Sequence, residues 1–82
     1  MDDTELIKRI AMNPDVMVGN PVIKGSRLTV QFIVGLLAHG ATREEILDEY
    51  PGISDDDINA CLLFACKTVD NNTFLPLVVE PV

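Results

Sequence analysis

"GATREEILDEYPGISDDDINACLLFA", residues Gly40 to Ala65, is the stretch on which the reading of this chain turns. Thr42 stands three residues before Glu45. That is the spacing of a capping box, in which the threonine hydroxyl accepts from the Glu45 amide and the Glu45 carboxylate reaches back. Ile46, Leu47 and Tyr50 then share one side of a short helix, and Pro51-Gly52 stops it. Ser54 is placed to cap the next helix. Asp55, Asp56 and Asp57 fill its first turn, where the helix dipole favours negative charge. Ile58, Cys61, Leu62 and Ala65 keep the i, i+3, i+4, i+7 spacing of a core-facing helix that runs to about Lys67 or Val69. Two helices joined by so short a turn suit a helix-turn-helix.

Working back toward the N-terminus, "TVQFIVGLLAHG" (Thr29 to Gly40) reads as another helix, capped by Thr29 and ended by Gly40 in the left-handed conformation. Val30, Ile33, Val34 and Leu37 follow one face, and Phe32 and Leu36 widen it. A helix this apolar must be covered on most sides. His39 falls in its last turn, where an imidazole is favourable beside the free carbonyls; this makes it a helix-end residue rather than a catalytic base.

The preceding stretch, "GNPVIKGSRLTV" (Gly19 to Val30), is short, β-branched and glycine-punctuated, which favours extended structure. Val22-Ile23 and Leu28-Thr29-Val30 flank "KGSR", so a tight hairpin is expected, with Gly25 taking the positive φ and Gly19, Pro21 and Gly25 as structural turn residues. Residues 2–10 suit either a short helix capped by Asp3 or Thr4, with Leu6, Ile7 and Ile10 on one side, or partly a strand ending near Met12. Asn13-Pro14-Asp15 breaks the chain. After Asp70-Asn71-Asn72 comes "TFLPLVVEPV", whose prolines forbid a helix. The expected organisation is a single domain over residues 1–70 followed by an apolar tail, 71–82.

With 82 residues the chain makes one domain, which by size scaling hides only about 60% of its unfolded surface. Hydrophobic residues make up 48% of it, more than one small core covers, so a homodimer is expected. No stretch approaches the roughly 20 apolar residues of a membrane span, and no basic-then-apolar leader opens the sequence. Cys61 and Cys66, five apart, point about 140° away from each other on a helix and do not pair. With one histidine and no close cysteine pair, zinc ligands are lacking, and a reduced, cytoplasmic protein without metal or cofactor is expected.

The net charge of −7 lies entirely in residues 41–82, where Arg43 and Lys67 face nine carboxylates; residues 1–40 balance. A nucleic-acid face would have to use Lys24, Arg27 and Arg43, the DNA-contact candidates, against the field of the whole chain. Arg27 has a structural alternative, a fork onto Asp15, Glu45 or Asp48. The three aspartates would repel phosphates at the start of a reading helix. A phosphate-binding loop is excluded by spacing: five residues separate Gly19 from Gly25, and Lys24 precedes the second glycine instead of following it. Six of the seven carboxylates between 44 and 57 are explained by capping, dipole and solvated faces. No nucleophile with an adjacent base appears, so no catalytic residue is assigned and an enzyme is not expected.

In sequence, "GNPVIKGSRLTV" followed by "GATREEILDEYPGISDDDINACLLFA" resembles the small prokaryotic domain of unknown function family four-three-three, grouped with predicted VapB-type antitoxins. The likeness runs from about Asn13 to Ala65; Ser26 and Leu28 stand where the family pattern has threonine and isoleucine. It implies a mainly α fold, a three-helix, homeodomain-like helix-turn-helix core with a short N-terminal β-hairpin and an extended C-terminal tail. It also implies an antitoxin-like role beside a PIN-like nuclease toxin, with operator DNA as a further partner. On that reading the tail, through Phe74, Leu75, Leu77, Val78 and Val79, folds onto the toxin. The alternative is a strand that completes the protein's own dimer sheet. The rival function is a homodimeric protein-interaction module with no DNA or antitoxin role.

Overall fold

The computed structural model describes residues 2–12 and 20–71. Its elements are α1 (Asp3–Ile7), β1 (Ile10–Met12), β2 (Pro21–Ile23), α2 (Val30–Ala38), α3 (Arg43–Glu49) and α4 (Asp55–Asn71). The architecture is mainly helical, with one small antiparallel sheet. Residues 2–12 supply both of the structures the sequence allowed them, a one-turn helix and then a strand. The cap of α1 is Asp2, whose carboxylate accepts from the Glu5 amide at 2.9 Å, one position before the expected cap at Asp3 or Thr4.

The two-stranded sheet departs from the expected hairpin. Its strands are β1 and β2, in register Ile10↔Ile23, Ala11↔Val22 and Met12↔Pro21. Toward the "KGSR" side there is a single bridge, Val22↔Thr29. The turn itself forms as the sequence requires, with Gly25 at φ 79° and the Ser26 amide donating to the Ile23 carbonyl at 3.0 Å. What stops the second strand is Thr29. Its hydroxyl accepts from the Phe32 amide at 3.0 Å as the cap of α2, so the chain turns into a helix one residue after the bridge. The pairing partner therefore comes from before the break, and the Lys24 amide extends the contact by donating to the Arg9 carbonyl at 2.8 Å.

Local chemistry sets the other boundaries as read. Gly40 ends α2 at φ 99°. Thr42 and Glu45 form both halves of the capping box on α3. At α4, the Ser54 amide donates to Asp57 Oδ2 at 2.9 Å and the Asp57 amide lies 3.4 Å from Ser54 Oγ. The helix then continues to Asn71, past the expected end.

The core is a cluster of Ile23, Val30, Ile33, Ile46, Ile53, Ile58 and Cys61, drawn from the sheet and from α2 to α4. Each isoleucine contributes about 1.5–3 kcal/mol by leaving water. α4 packs against both α2 and α1. Its buried face is accordingly centred near Cys61, with Ala60 fully covered, and Leu62, expected in the core, lies at the margin and is exposed. Among the described residues no helix is long and apolar enough to cross a membrane.

Candidate functional site: an uncovered helix face and the placement of the basic residues

The basic residues meet different fates. Arg43, in the first turn of α3, directs Nη1 to Asp55 Oδ1 at 2.8 Å and Nη2 to Asn59 Oδ1 at 2.7 Å. Asp55 and Asn59 are four apart and thus on one side of α4, so the guanidinium fork bridges α3 to the start of α4. Arg9 does the same from the other flank, with Nη1 on Asp57 Oδ1 at 3.1 Å and Nη2 at 3.7 Å from Asp56 Oδ2. The aspartates of α4 serve the helix dipole and also hold these two arginines against the body of the protein. Arg43, one of the three DNA-contact candidates, is thus already engaged by a carboxylate and an amide. Arg9 was missed because its partner lies 48 residues away.

Lys24 and Arg27 project from the turn after β2, and both are exposed. Arg27 borders a hollow lined by Leu28, Thr29, Phe32 and Tyr50. Neither Glu45 nor Asp48 forms an ion pair with it; Asp15, its third expected carboxylate, lies outside the described residues. Of the turn residues, Pro21 opens β2, Gly25 makes the turn, and Gly19 lies outside the described residues. The tail candidates Phe74, Leu75, Leu77, Val78 and Val79 also lie outside them. His39 caps α2, its Nδ1 2.7 Å from the Gly35 carbonyl oxygen, the contact of a ring N–H donating into the helix end.

The largest departure from expectation is α2 itself. Val30 and Ile33 are buried, but Gln31, Phe32 and Ala38 are exposed and Gly35 is half-exposed. Along this open face run two hollows. One, of about 580 Å³, is bordered by Thr29, Phe32, Leu36 and His39. The other, of about 480 Å³, lies between α2 and α4 and is bordered by Val30, Val34, Ala38, Phe64, Ala65 and Val69. Gln31 and Gly35 border both, so they form the crest between them. The Phe32 ring stands beside the crest, 41% exposed, braced edge-on against Tyr50 at 5.7 Å and 83°. From Val30 to Ala38 α2 carries no ionisable side chain.

Chemically reactive groups are sparse. Cys61 is buried, and burial together with the nearby Asp57 carboxylate pushes its thiol up to about 11; Cys66 is exposed. The Glu45 carboxyl is held below its ordinary value by accepting from the Thr42 amide. Among the described residues, no buried side-chain polar atom lacks a partner, and no three His, Cys, Asp or Glu side chains are grouped as a metal ion requires.

The fold and this face define a small, mainly helical domain whose unusual surface is apolar. Its sequence matches, over residues 10–65, the family described as "Protein of unknown function (DUF433)", and the chain belongs to that family. A crystal structure of a DUF433 member protein from Anabaena variabilis is similar to it, with a TM-score of 0.73 and 26% identity over 83% of this chain and 67% of that one. An uncharacterized protein, y4eO, of Sinorhizobium fredii is 27% identical over 66 residues, 79% of this chain. The chain spans 30% of the length of that relative.

Proposed function

We propose that this chain is a non-enzymatic, antitoxin-like protein that acts by docking to protein, and that the uncharged face of α2 is a docking surface. The observation that carries the reading is the pair of apolar hollows on either side of Gly35, left open on a helix without a charge. The placement of Arg9 and Arg43 supports it from the other side. A strip for phosphates needs unengaged cations, and these two sit on α4's own aspartates. Of the three DNA-contact candidates only Lys24 and Arg27 remain, on a chain with a net charge of −7.

The resemblance to predicted antitoxins makes a PIN-like nuclease the first partner to test, with the tail from Phe74 to Val79 as its candidate contact. The experiment is co-expression of the tagged chain with its genomic neighbours and purification at moderate salt. A stoichiometric protein partner supports the reading. Recovery of the chain with no protein partner, together with salt-sensitive retention of its own operator fragment, would replace it with a DNA-binding role carried by Lys24 and Arg27.

A further inference from the structure

Resting on the reading of the α2 face as a docking surface, we infer that its occupant is a second copy of this chain: the two α2 helices cross at Gly35, and Phe32 of each copy enters the α2/α4 hollow of the other.

Shape is the first argument. The exposed Phe32 ring and the α2/α4 hollow flank the same crest, Gln31 and Gly35, at the same level of the helix. A two-fold axis lying close to the direction of α2 carries one flank of the crest onto the other, so knob meets hollow twice in one isologous contact. Tyr50 already braces the ring, so little freedom is lost when it inserts.

The second argument is the glycine. Gly35 lies inside a helix, where glycine weakens the structure relative to alanine. Among the described residues nothing lies within 4 Å of where its Cβ would be, so their packing does not require a glycine there. A second helix crossing over that point does, because the missing side chain lets two backbones approach.

Charge selects a second copy over an unrelated protein. Two chains of −7 repel over most of their surfaces. The face from Val30 to Ala38, without an ionisable group, is where two such chains meet without opposing like charges. An acidic chain with a basic partner would instead be expected to present its carboxylates.

Sedimentation of the full chain across a concentration series tests this, with Phe32→Asp and Gly35→Leu beside the wild type. A wild-type dimer whose Kd rises at least tenfold in both variants, each retaining native helical content by circular dichroism, is the expected result. Since the space at Gly35 is open among the described residues, Gly35→Leu folds even if Phe32→Asp does not. A wild-type monomer at all concentrations, or a dimer that both variants leave intact, overturns the inference. If the wild type is monomeric and the variants lose a different copurifying protein, the second copy is wrong and the docking surface stands. If the variants change neither assembly nor any protein partner, both are wrong.

Discussion

Ile33 and Phe32 are neighbours in sequence on an equally apolar helix, yet Ile33 is fully buried and Phe32 is 41% exposed. The inner face of α2 is closed by Ile23, Ile46 and Ile58; its outer face is closed by nothing within the described residues. The contrast separates two meanings of a hydrophobic residue. On the inner face it holds the chain together, and on the outer, under the docking reading proposed above, it is left for another surface. α4 repeats the contrast in its thiols, buried Cys61 and exposed Cys66.

The thiols offer the widest measurable gap. With its thiol raised to about 11, Cys61 has almost no thiolate at pH 8, and reagent reaches it only when the core opens. A maleimide followed by mass spectrometry should modify Cys66 at once and Cys61 slower by about a hundredfold or more. Equal labelling would mean that the core at α4 is not closed. Raising a thiol's value on folding favours the protonated form, so this contribution to stability is complete below the unfolded value of 9.0 and is lost as the pH climbs toward about 11.

Next in size, Ile33→Ala should lower the unfolding free energy by about 2–5 kcal/mol in a urea titration, a large share of a small domain's total. A loss below about 1 kcal/mol would erase the distinction between the faces. Thr42→Ala should cost about 1 kcal/mol through the lost cap. Glu45, its partner in the box, adds a pH signature. A carboxyl lowered on folding stabilises above its unfolded value of 4.5, and that contribution fades as the pH falls through the folded value. Glu45→Gln should therefore flatten the acid limb of the stability curve.

Gly35→Ala sharpens the comparison because its sign is reversed. In dilute, monomeric protein it should stabilise by about 0.5–1 kcal/mol, since alanine favours the helix and its methyl meets open space among the described residues. Any loss there would show that the outer face is not open. Smallest is Arg43→Met, at about 0.2–1 kcal/mol and shrinking with added salt, because the pair with Asp55 is largely exposed.

The helix starts were legible in the sequence because capping is chemistry between residues three apart. Thr29, Thr42 and Ser54 each bind an amide within one turn, and Gly25 and Gly40 take conformations other residues resist. The strand partner of Pro21–Ile23 was not legible. Val22-Ile23 and Leu28-Thr29 have the composition of a hairpin, and only the competing demand of Thr29 as a helix cap sends the pairing to Ile10–Met12. Leu62 lies exposed while Ala60 is buried for a similar reason: periodicity gives the direction of one buried face, and α4 packs against α1 as well as α2.

At the candidate site the uncharged composition of α2 is plain in the sequence and implies a helix covered on most sides, but not which sides the chain itself covers. A chain this short has too few elements to surround it. Arg43 is a phosphate-contact candidate in the sequence because basic residues are few, and the partners it finds, Asp55 and Asn59, lie across the turn, 12 and 16 positions on.

The clasp of Arg9 on Asp56 and Asp57 bears on the order in which the molecule is assembled during synthesis. The segment through β1 precedes α4 in the chain, so its docking places there, 48 positions on from Arg9 at Asp57, exist only once α4 has been made. α2, its turn and α3 have their caps close at hand and can form as they appear. β1 can pair with β2 as soon as Pro21–Ile23 has been made, whereas α1 and Arg9 gain their partners only with α4, so the strap is fastened in two stages.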